Sequence, residues 1–272
     1  MYRSIRYDTI ASILNIVIAP FGNVKFKTYL IAEIFTDCLI SIQDLGRVAF
    51  YLETDLWTNK VVNLSDPLIA NRIHPAIKWV FYCLSFLPYM WRMNQNLRKW
   101  LVYDHKLQAF NALKYFILMI ASICAIIYYE TDIKALKYLY YSLKTLGCAY
   151  KYFWDVYYDW GLFHGSRKDN KFLRNQMKYP PWFYYISIVY NLFGLYSWAI
   201  CIGITSLITP IETTTANTQK YHNNVMWIIW LEFFIVAIRR TIWVVIRVES
   251  EFYNNFEQFR DIVTIPPIKF DE

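Results

Sequence analysis

A chain of 272 residues with 57% apolar residues, 20% aromatic residues and only 7 glycines does not have the composition of an ordinary soluble domain. Its formal net charge of +7 would suit a nucleic-acid-binding protein, but the basic residues separate apolar stretches and form no recognition motif. Composition therefore favours a protein whose partner is the lipid bilayer and excludes nucleic acid. The five cysteines all lie in apolar stretches without C-x-x-C spacing, so neither a disulfide framework nor a metal site is expected.

Apolar stretches of transmembrane length recur along the chain. A helix needs roughly 20 residues to cross a hydrocarbon core of about 30 Å. The chain is therefore predicted to be all-α, a polytopic bundle of about six transmembrane helices. The predicted windows are residues 29–52, 74–91, 110–129, 136–160, 181–207 and 225–248.

The segments outside these windows define the predicted domains. Residues 1–28 are expected to be a cytosolic or interfacial segment, because the apolar run 10–18 is too short to span a membrane alone. Residues 29–260 form the transmembrane domain, and residues 261–272 a cytosolic tail. Lys and Arg concentrate in both terminal segments and in the second and fourth loops, which places both termini in the cytosol. The sequon at Asn63 then falls in a lumenal or extracellular loop.

Many charged residues lie inside the predicted windows. A charge at mid-membrane costs at least about 2.5 to 3.5 kcal/mol, so these side chains should face one another or water. A purely structural bundle would rarely keep so many, which favours an ion path. They are Glu33, Asp37, Asp44 and Arg47 in the first window, Lys114 in the third, Lys144, Lys151, Asp155 and Asp159 in the fourth, and Glu232, Arg239, Arg240 and Arg247 in the sixth.

Two pairs of these charges have a spacing that suits an anion site. Asp155 and Asp159 are four residues apart and share a helix face, whereas Arg239 and Arg240 diverge by about 100° and can serve two partners. Guanidinium groups stay charged and match phosphate oxygens, so the arginines are candidates for an oxyanion site. The carboxylates could instead form a structural salt bridge or a cytosolic span end, and the arginines could be positive-inside anchors.

The remaining polar residues allow fewer conclusions. Lys114 could bind an anion or extend to the interface, while Lys144 and Lys151 are expected to extend similarly or to pair with Asp155. The four histidines lie in loops or at span ends, and no catalytic or nucleotide-binding motif occurs. We therefore expect no enzyme activity, no metal and no cofactor, since an intramembrane enzyme would need a nucleophile or metal that the sequence does not show.

Ordered motifs along nearly the whole chain resemble the EXS family, the membrane domain of xenotropic-retrovirus-receptor phosphate exporters and of yeast Golgi proteins that retain lumenal ER proteins. The most specific stretch is WDVYYDWGLF at residues 154–163. The other motifs are APFGNVKF at 19–26, AEIFTDCLIS at 32–41, LPYMWRMNQNLRKW at 87–100, FNALKY at 110–115, FLR at 172–174 and IRRTIWVVIRVESEFYNN at 238–255.

The resemblance implies a set of residues along a phosphate path. Glu33 takes the place of the family's usual aspartate, with Thr36 one turn away on the same face. At two positions this sequence departs from the pattern: Leu195 stands where an arginine is usual, and Val236 where a glutamate is usual. Their joint replacement removes a candidate gate pair, which leaves a non-transporting protein or a rebuilt path open. The implied path residues are Glu33, Arg92, Lys114, Asp155, Asp159, Trp198, Arg239 and Arg240.

The resemblance also suggests a function, a compartment and partners. Exporters of the family carry an SPX sensing domain that these residues do not include, so the layout is nearer to that of the Golgi-type relatives. The leading hypothesis is transport of inorganic phosphate, by export or by recycling from lumen to cytosol. It is expected in a Golgi membrane, with the plasma membrane as the alternative. The rival hypothesis is a non-transporting Golgi adaptor that retains or sorts glycosyltransferases and ER proteins. A homodimer and Golgi glycosyltransferase tails are further candidate partners.

Overall fold

The fold is all-helical wherever the chain is described. The computed structural model describes residues 2–18, 24–39, 41, 75–163, 171–174, 176–208 and 215–254, and within these ranges every regular element is a helix. The predicted all-α class is confirmed. The elements are α1 (Tyr2–Val17), α2 (Phe26–Asp37), α3 (Pro75–Tyr103), α4 (Leu107–Thr131), α5 (Lys134–Trp154) with a following π-helical turn (Asp155–Asp159), α6 (Pro181–Leu195), α7 (Ser197–Ile208) and α8 (Thr215–Asn254).

The described parts of the predicted windows fall on these helices, but most helices are not uniformly apolar. By length and composition α4 is long and apolar enough to cross a membrane, and α6 with α7, bent by 50°, would add a second span if the pair is one unit. The count of six spans therefore stays a prediction. Charged residues within α3, α5 and α8 lower their apolar character. Asp44, Arg47 and the sequon at Asn63 lie outside the described residues.

The breaks between helices have local causes. Asp132 ends α4 in the left-handed region with φ 52°, which Asp tolerates better than most residues, and its N–H donates to the Tyr128 carbonyl. Chain direction then reverses directly into α5. Pro181 is the first residue of α6, where proline has a favourable φ and no N–H bond to lose.

Close packing joins α3, α4 and α5 into one layer, with α8 lying across α2, α6, α7 and the π-helical turn. Gly147 allows α5 to approach α4, since a Cβ there would lie 2.5 Å from Leu118 Cδ2. The apolar core is a cluster where the π-helical turn, α6 and α8 meet. Its buried members are Val156, Trp160, Leu162, Leu173, Tyr184, Trp243 and Ile246.

Polar and apolar side chains are distributed opposite to the pattern of a soluble protein. Large apolar side chains cover the outer helix faces, with Leu101 72%, Val189 70% and Leu207 86% exposed. Charged side chains occupy the interior, where Arg92 and Arg247 are fully buried. Soluble proteins almost never bury such residues without partners. The fold therefore has to provide partners for these interior charges.

Candidate functional site: a buried charge cluster beside a cavity

Two carboxylates of α2 form the centre of the site. Glu33 and Asp37 are four residues apart, so both point from one face of the helix. Asp37 lies within ion-pair contact of both Arg239 and Arg240 from α8, and its Oδ1 is 2.9 Å from Lys151 Nζ from α5. One carboxylate thus holds three cations from two other helices.

Glu33 joins the same cations to α3 and α4. Its Oε2 accepts a hydrogen bond from Arg92 Nε at 2.7 Å and another from the Tyr115 hydroxyl. Its Oε1 lies 3.5 Å from Lys151 Nζ and 3.6 Å from Arg240 NH1. Glu33 is only 1% exposed, so these cations replace the water that would otherwise solvate its charge.

Arg239 links the cluster to α6 and to the π-helical turn. Its NH1 donates to Asn191 Oδ1 at 3.1 Å and lies 3.6 Å from Asp155 Oδ2, while Asn191 donates to Asp155 at 3.3 Å. Gly194 leaves room for the Arg239 side chain, because a Cβ on residue 194 would lie 2.7 Å from Arg239 Cδ. A glycine in α6 therefore provides the space for the arginine of α8.

Lys114 is enclosed and does not extend to an interface. It is 1% exposed, and its Nζ lies 4.6 Å from the Tyr115 ring and 5.6 Å from the Trp154 ring. Within the described ranges no carboxylate forms an ion pair with it. The burial of Lys114 beside aromatic faces argues against extension to an interface, and its binding of an anion stays a prediction.

Asp159 forms its ion pair with a different arginine, Arg247. It is 3.5 Å from Arg247 Nε, and Arg247 NH1 donates to Glu251 at 3.1 Å. Asp155 and Asp159 stand in the π-helical turn, where the Trp160 N–H donates to the Asp155 carbonyl, and each contacts a different arginine. Such single π turns often occur at functional sites.

The cluster carries an excess of positive charge. We define the charge cluster as Glu33, Asp37 and Asp155 with Arg92, Lys114, Lys151, Arg239 and Arg240. With ordinary ionisation, five cations against three carboxylates leave two positive charges uncompensated among these residues. Buried charges are costly unless they are paired, so this excess is unusual for a purely structural network.

The charge cluster lies along one wall of a cavity of about 530 Å³. Asp37, Lys151 and Arg239 line its charged end, together with Thr36. At about 30 Å³ per water, this volume could hold many waters or a hydrated anion. Trp198, which stacks on Tyr141 at a centroid distance of 6.1 Å, lines another part of the wall.

The residues that replace the expected gate pair line the same cavity. Leu195 and Val236 both contribute to its wall, near Trp198 and Arg239 respectively in sequence. All four positions therefore line one cavity. The two apolar side chains bring no charge to the wall at that point.

The structure brings together most of the predicted path residues and adds others. Ion pairs or hydrogen bonds connect Glu33, Arg92, Asp155, Arg239 and Arg240. Lys114 is enclosed beside them, Trp198 borders the cavity, and Asp159 contacts Arg247. Arg239 and Arg240 share Asp37, and each has a further carboxylate of its own, Asp155 for Arg239 and Glu33 for Arg240. The expected pairing of Lys151 with Asp155 is replaced by contacts with Asp37 and Glu33.

Sequence reasoning did not select Asp37, Tyr115, Lys151 or Asn191 as site residues. A signal for Asp37 was present, because it follows Glu33 by four residues and shares its helix face. Tyr115 and Asn191 carried no comparable signal, since an uncharged polar residue inside an apolar window is common.

A helical bundle with a buried, cation-rich cluster beside a cavity defines a class of protein suited to hold an anion within its interior. The chain belongs to the EXS family, whose model matches residues 1–253. It is 27% identical over 270 residues to "Phosphate transporter PHO1-2" of Oryza sativa subsp. japonica, which covers 97% of this chain and 30% of the relative.

Further relatives come from a second plant and a mammal. The chain is 28% identical over 267 residues to "Phosphate transporter PHO1 homolog 1" of Arabidopsis thaliana, covering 97% of this chain and 31% of that protein. It is 25% identical over 289 residues to "Solute carrier family 53 member 1" of Cricetulus griseus, covering 100% and 39% respectively. The chain thus spans well under half the length of these relatives.

Proposed function

We propose that this chain forms a membrane bundle that transports inorganic phosphate through the cavity and past the charge cluster. The observation that carries the proposal is the buried, cation-rich charge cluster, of which Lys151, Arg239 and Asp37 line the cavity. Two of its relatives are named phosphate transporters, which supports phosphate as the anion. A transporter, and not an enzyme, accounts for the absence of a catalytic motif in the sequence.

The arrangement of ion pairs suggests how an anion could be accepted. Arg239 and Arg240 present planar guanidinium forks that match phosphate oxygens, and both are held by the single carboxylate of Asp37. An arriving phosphate dianion would share these arginines with Asp37, so they would never lose all their partners. Conduction requires binding strong enough for entry and weak enough for release, and competition with Asp37 provides such a balance.

The distribution of side chains supports a membrane location for the bundle. Apolar side chains cover the outer faces while charges occupy the interior, as expected where lipid surrounds the protein. We place about six spans within residues 29–260, with both termini in the cytosol, and residues 1–28 and 261–272 outside the membrane. A Golgi membrane remains the proposed compartment, with the plasma membrane as the alternative.

The experiment is phosphate flux in liposomes that contain the purified chain. Radiolabelled phosphate release from the parent should be saturable, and the Arg239→Ala/Arg240→Ala variant should lose it. Arg239→Lys/Arg240→Lys is the matched control, since it keeps both charges and their pairing with Asp37 while removing the planar forks. It should fold like the parent and transport more slowly.

Two outcomes would contradict the proposal. Equal flux from the parent and from a monodisperse alanine variant would show that the arginines do not lie in the path. No flux from well-folded parent protein would favour the adaptor hypothesis, in which Leu195 and Val236 belong to a chain that no longer transports.

A further inference from the structure

We propose that Lys144 is a second phosphate-binding position, located in the aromatic part of the cavity and distinct from the charge cluster. The inference rests on the proposed function, because it assigns a further residue to the same path. Lys144 was expected to extend to an interface or pair with Asp155, and it does neither in the structure.

Lys144 and Lys151 lie on the same side of α5. They are seven residues apart, which corresponds to two helical turns and a rise of about 10.5 Å. Both line the cavity, as does Cys148 between them. Lys151 belongs to the charge cluster, so Lys144 places a second cation about two turns away along the same cavity wall.

Aromatic side chains hold the Lys144 ammonium in place. Its Nζ lies 4.2 Å from the centre of the Trp198 ring and donates a hydrogen bond to the Tyr140 hydroxyl at 3.1 Å. Trp198 is itself stacked on Tyr141, with ring planes 16° apart. A cation over an aromatic face is attracted by the ring quadrupole, and this attraction leaves the N–H donors available.

No carboxylate competes for this cation within the described part of the chain. The acidic residues that line the cavity are Asp37, which pairs with Lys151, Arg239 and Arg240, and Glu232, which forms no ion pair with Lys144. An ammonium has three N–H donors, and the Tyr140 hydroxyl accepts one. Two donors therefore remain for the oxygens of an anion in the cavity.

Lys144 is important for an anion in this part of the cavity because the neighbouring cavity wall is apolar. Leu195 and Val236 line the wall with apolar side chains, and the cavity-lining cations among the described residues are Lys144, Lys151 and Arg239. An anion that leaves the charge cluster on this side would therefore meet Lys144 next. Two weak positions in series favour passage over tight retention at one site.

The test measures how phosphate flux depends on phosphate concentration in the liposome assay. In Lys144→Met, which keeps an apolar side chain against Trp198, the half-saturating phosphate concentration should rise roughly fivefold, the equivalent of about 1 kcal/mol. The maximal rate should change much less, because the charge cluster is intact. Lys144→Arg should stay close to the parent, since it keeps the charge.

Lys134→Met is the matched control, because Lys134 is an exposed lysine at the start of the same helix and does not line the cavity. It should leave the half-saturating concentration unchanged. If Lys144→Met proves unstable, Lys144→Gln removes the same charge and keeps a donor for Tyr140, and the same rise is expected.

The outcomes separate this inference from the proposed function. A parent that transports phosphate, with equal half-saturation in the Lys144 and Lys134 variants, would overturn the role of Lys144 alone. A parent without saturable flux would overturn both. A rise confined to the neutral Lys144 variants would support the inference, because lost packing alone would not spare Lys144→Arg.

Discussion

Two of the buried ionic networks to which the long helix α8 contributes differ in their charge balance. The charge cluster around Asp37 combines five cations with three carboxylates and borders the cavity. The second network, which we call the loop lock, consists of Arg174, Tyr184 and Glu249. It pairs one arginine with one carboxylate, and none of its members lines that cavity.

Backbone and hydroxyl groups complete the loop lock. Glu249 accepts hydrogen bonds from the Lys178 N–H at 2.6 Å and the Tyr184 hydroxyl at 2.7 Å, while Arg174 NH2 lies 2.7 Å away. Arg174 also donates to the carbonyls of Trp160 and Gln176 at 3.0 Å. This network fixes the segment before α6 against α8. Burial of charge alone therefore does not indicate a ligand site, and our proposal depends on the cation-rich composition of the charge cluster and on the cavity beside it.

The largest effect on stability is expected from Glu249→Ala. Truncating one member of a buried pair leaves Arg174 without its carboxylate, which costs about 3 to 5 kcal/mol. The midpoint of thermal unfolding in detergent should fall clearly, and flux per folded molecule should remain near that of the parent. A loss of flux without a loss of stability would contradict a purely structural role for the loop lock.

Gly194→Ala should have a smaller effect on stability but a direct effect on transport. The new Cβ would lie 2.7 Å from Arg239 Cδ, and Arg239 cannot easily move because Asp37 and Asn191 hold it. Overpacking of this kind costs about 1 to 3 kcal/mol. Displacement of Arg239 should lower phosphate flux several-fold.

A second glycine provides the control for this change. Gly203, in α7, has no atom within 4 Å of an added Cβ. Gly203→Ala should be neutral or stabilise the helix by about 0.5 to 1 kcal/mol, with unchanged flux. Equal flux in the two alanine variants would show that the position of Arg239 is not important for transport.

The sequence predicted the positions of helices better than it predicted the ion-pair partners of their charged side chains, and the reason is physical. Hydropathy predicted helical stretches because apolar side chains cover the exposed helix faces, whereas the count of six spans stays a prediction. The divergence of Arg239 and Arg240 by about 100° correctly describes their directions, but both side chains are long enough to reach Asp37 where α2 crosses α8. Which carboxylate lies opposite these arginines depends on how the helices pack, and the spacing of residues along one helix does not specify it.

Lys114 and the π-helical turn illustrate the same limit. A lysine near a span end can extend or stay buried, and the presence of Trp154 from α5 beside it decides the outcome. The turn at Asp155–Asp159 includes the i→i+5 hydrogen bond from the Trp160 N–H to the Asp155 carbonyl and has no evident local sequence signal. Asp155 and Asp159 are both buried, their role in a phosphate path stays a prediction, and their separate arginine partners were not predicted.

Asp37→Asn tests whether competition within the charge cluster sets the balance between binding and release. Removing this carboxylate raises the positive excess by one charge and frees Arg239, Arg240 and Lys151 to hold an anion more tightly. The half-saturating phosphate concentration should fall a few-fold and the maximal rate should fall as well. A higher half-saturating concentration would mean that Asp37 positions the arginines for phosphate and does not compete with it.

The smallest change compares one hydroxyl from each network. Tyr115 donates to Glu33 in the charge cluster, and Tyr184 donates to Glu249 in the loop lock. Tyr115→Phe and Tyr184→Phe should each lower the free energy of unfolding by about 1 to 3 kcal/mol, since each removes a hydrogen bond to a buried carboxylate. Only Tyr115→Phe should also shift the half-saturating phosphate concentration. Without the Tyr115 hydroxyl, Glu33 would interact more strongly with Arg92 and Arg240, which would leave these arginines less available to phosphate. An equal shift in both variants would remove the distinction between the networks, because it would show that any loosening of the bundle alters phosphate binding.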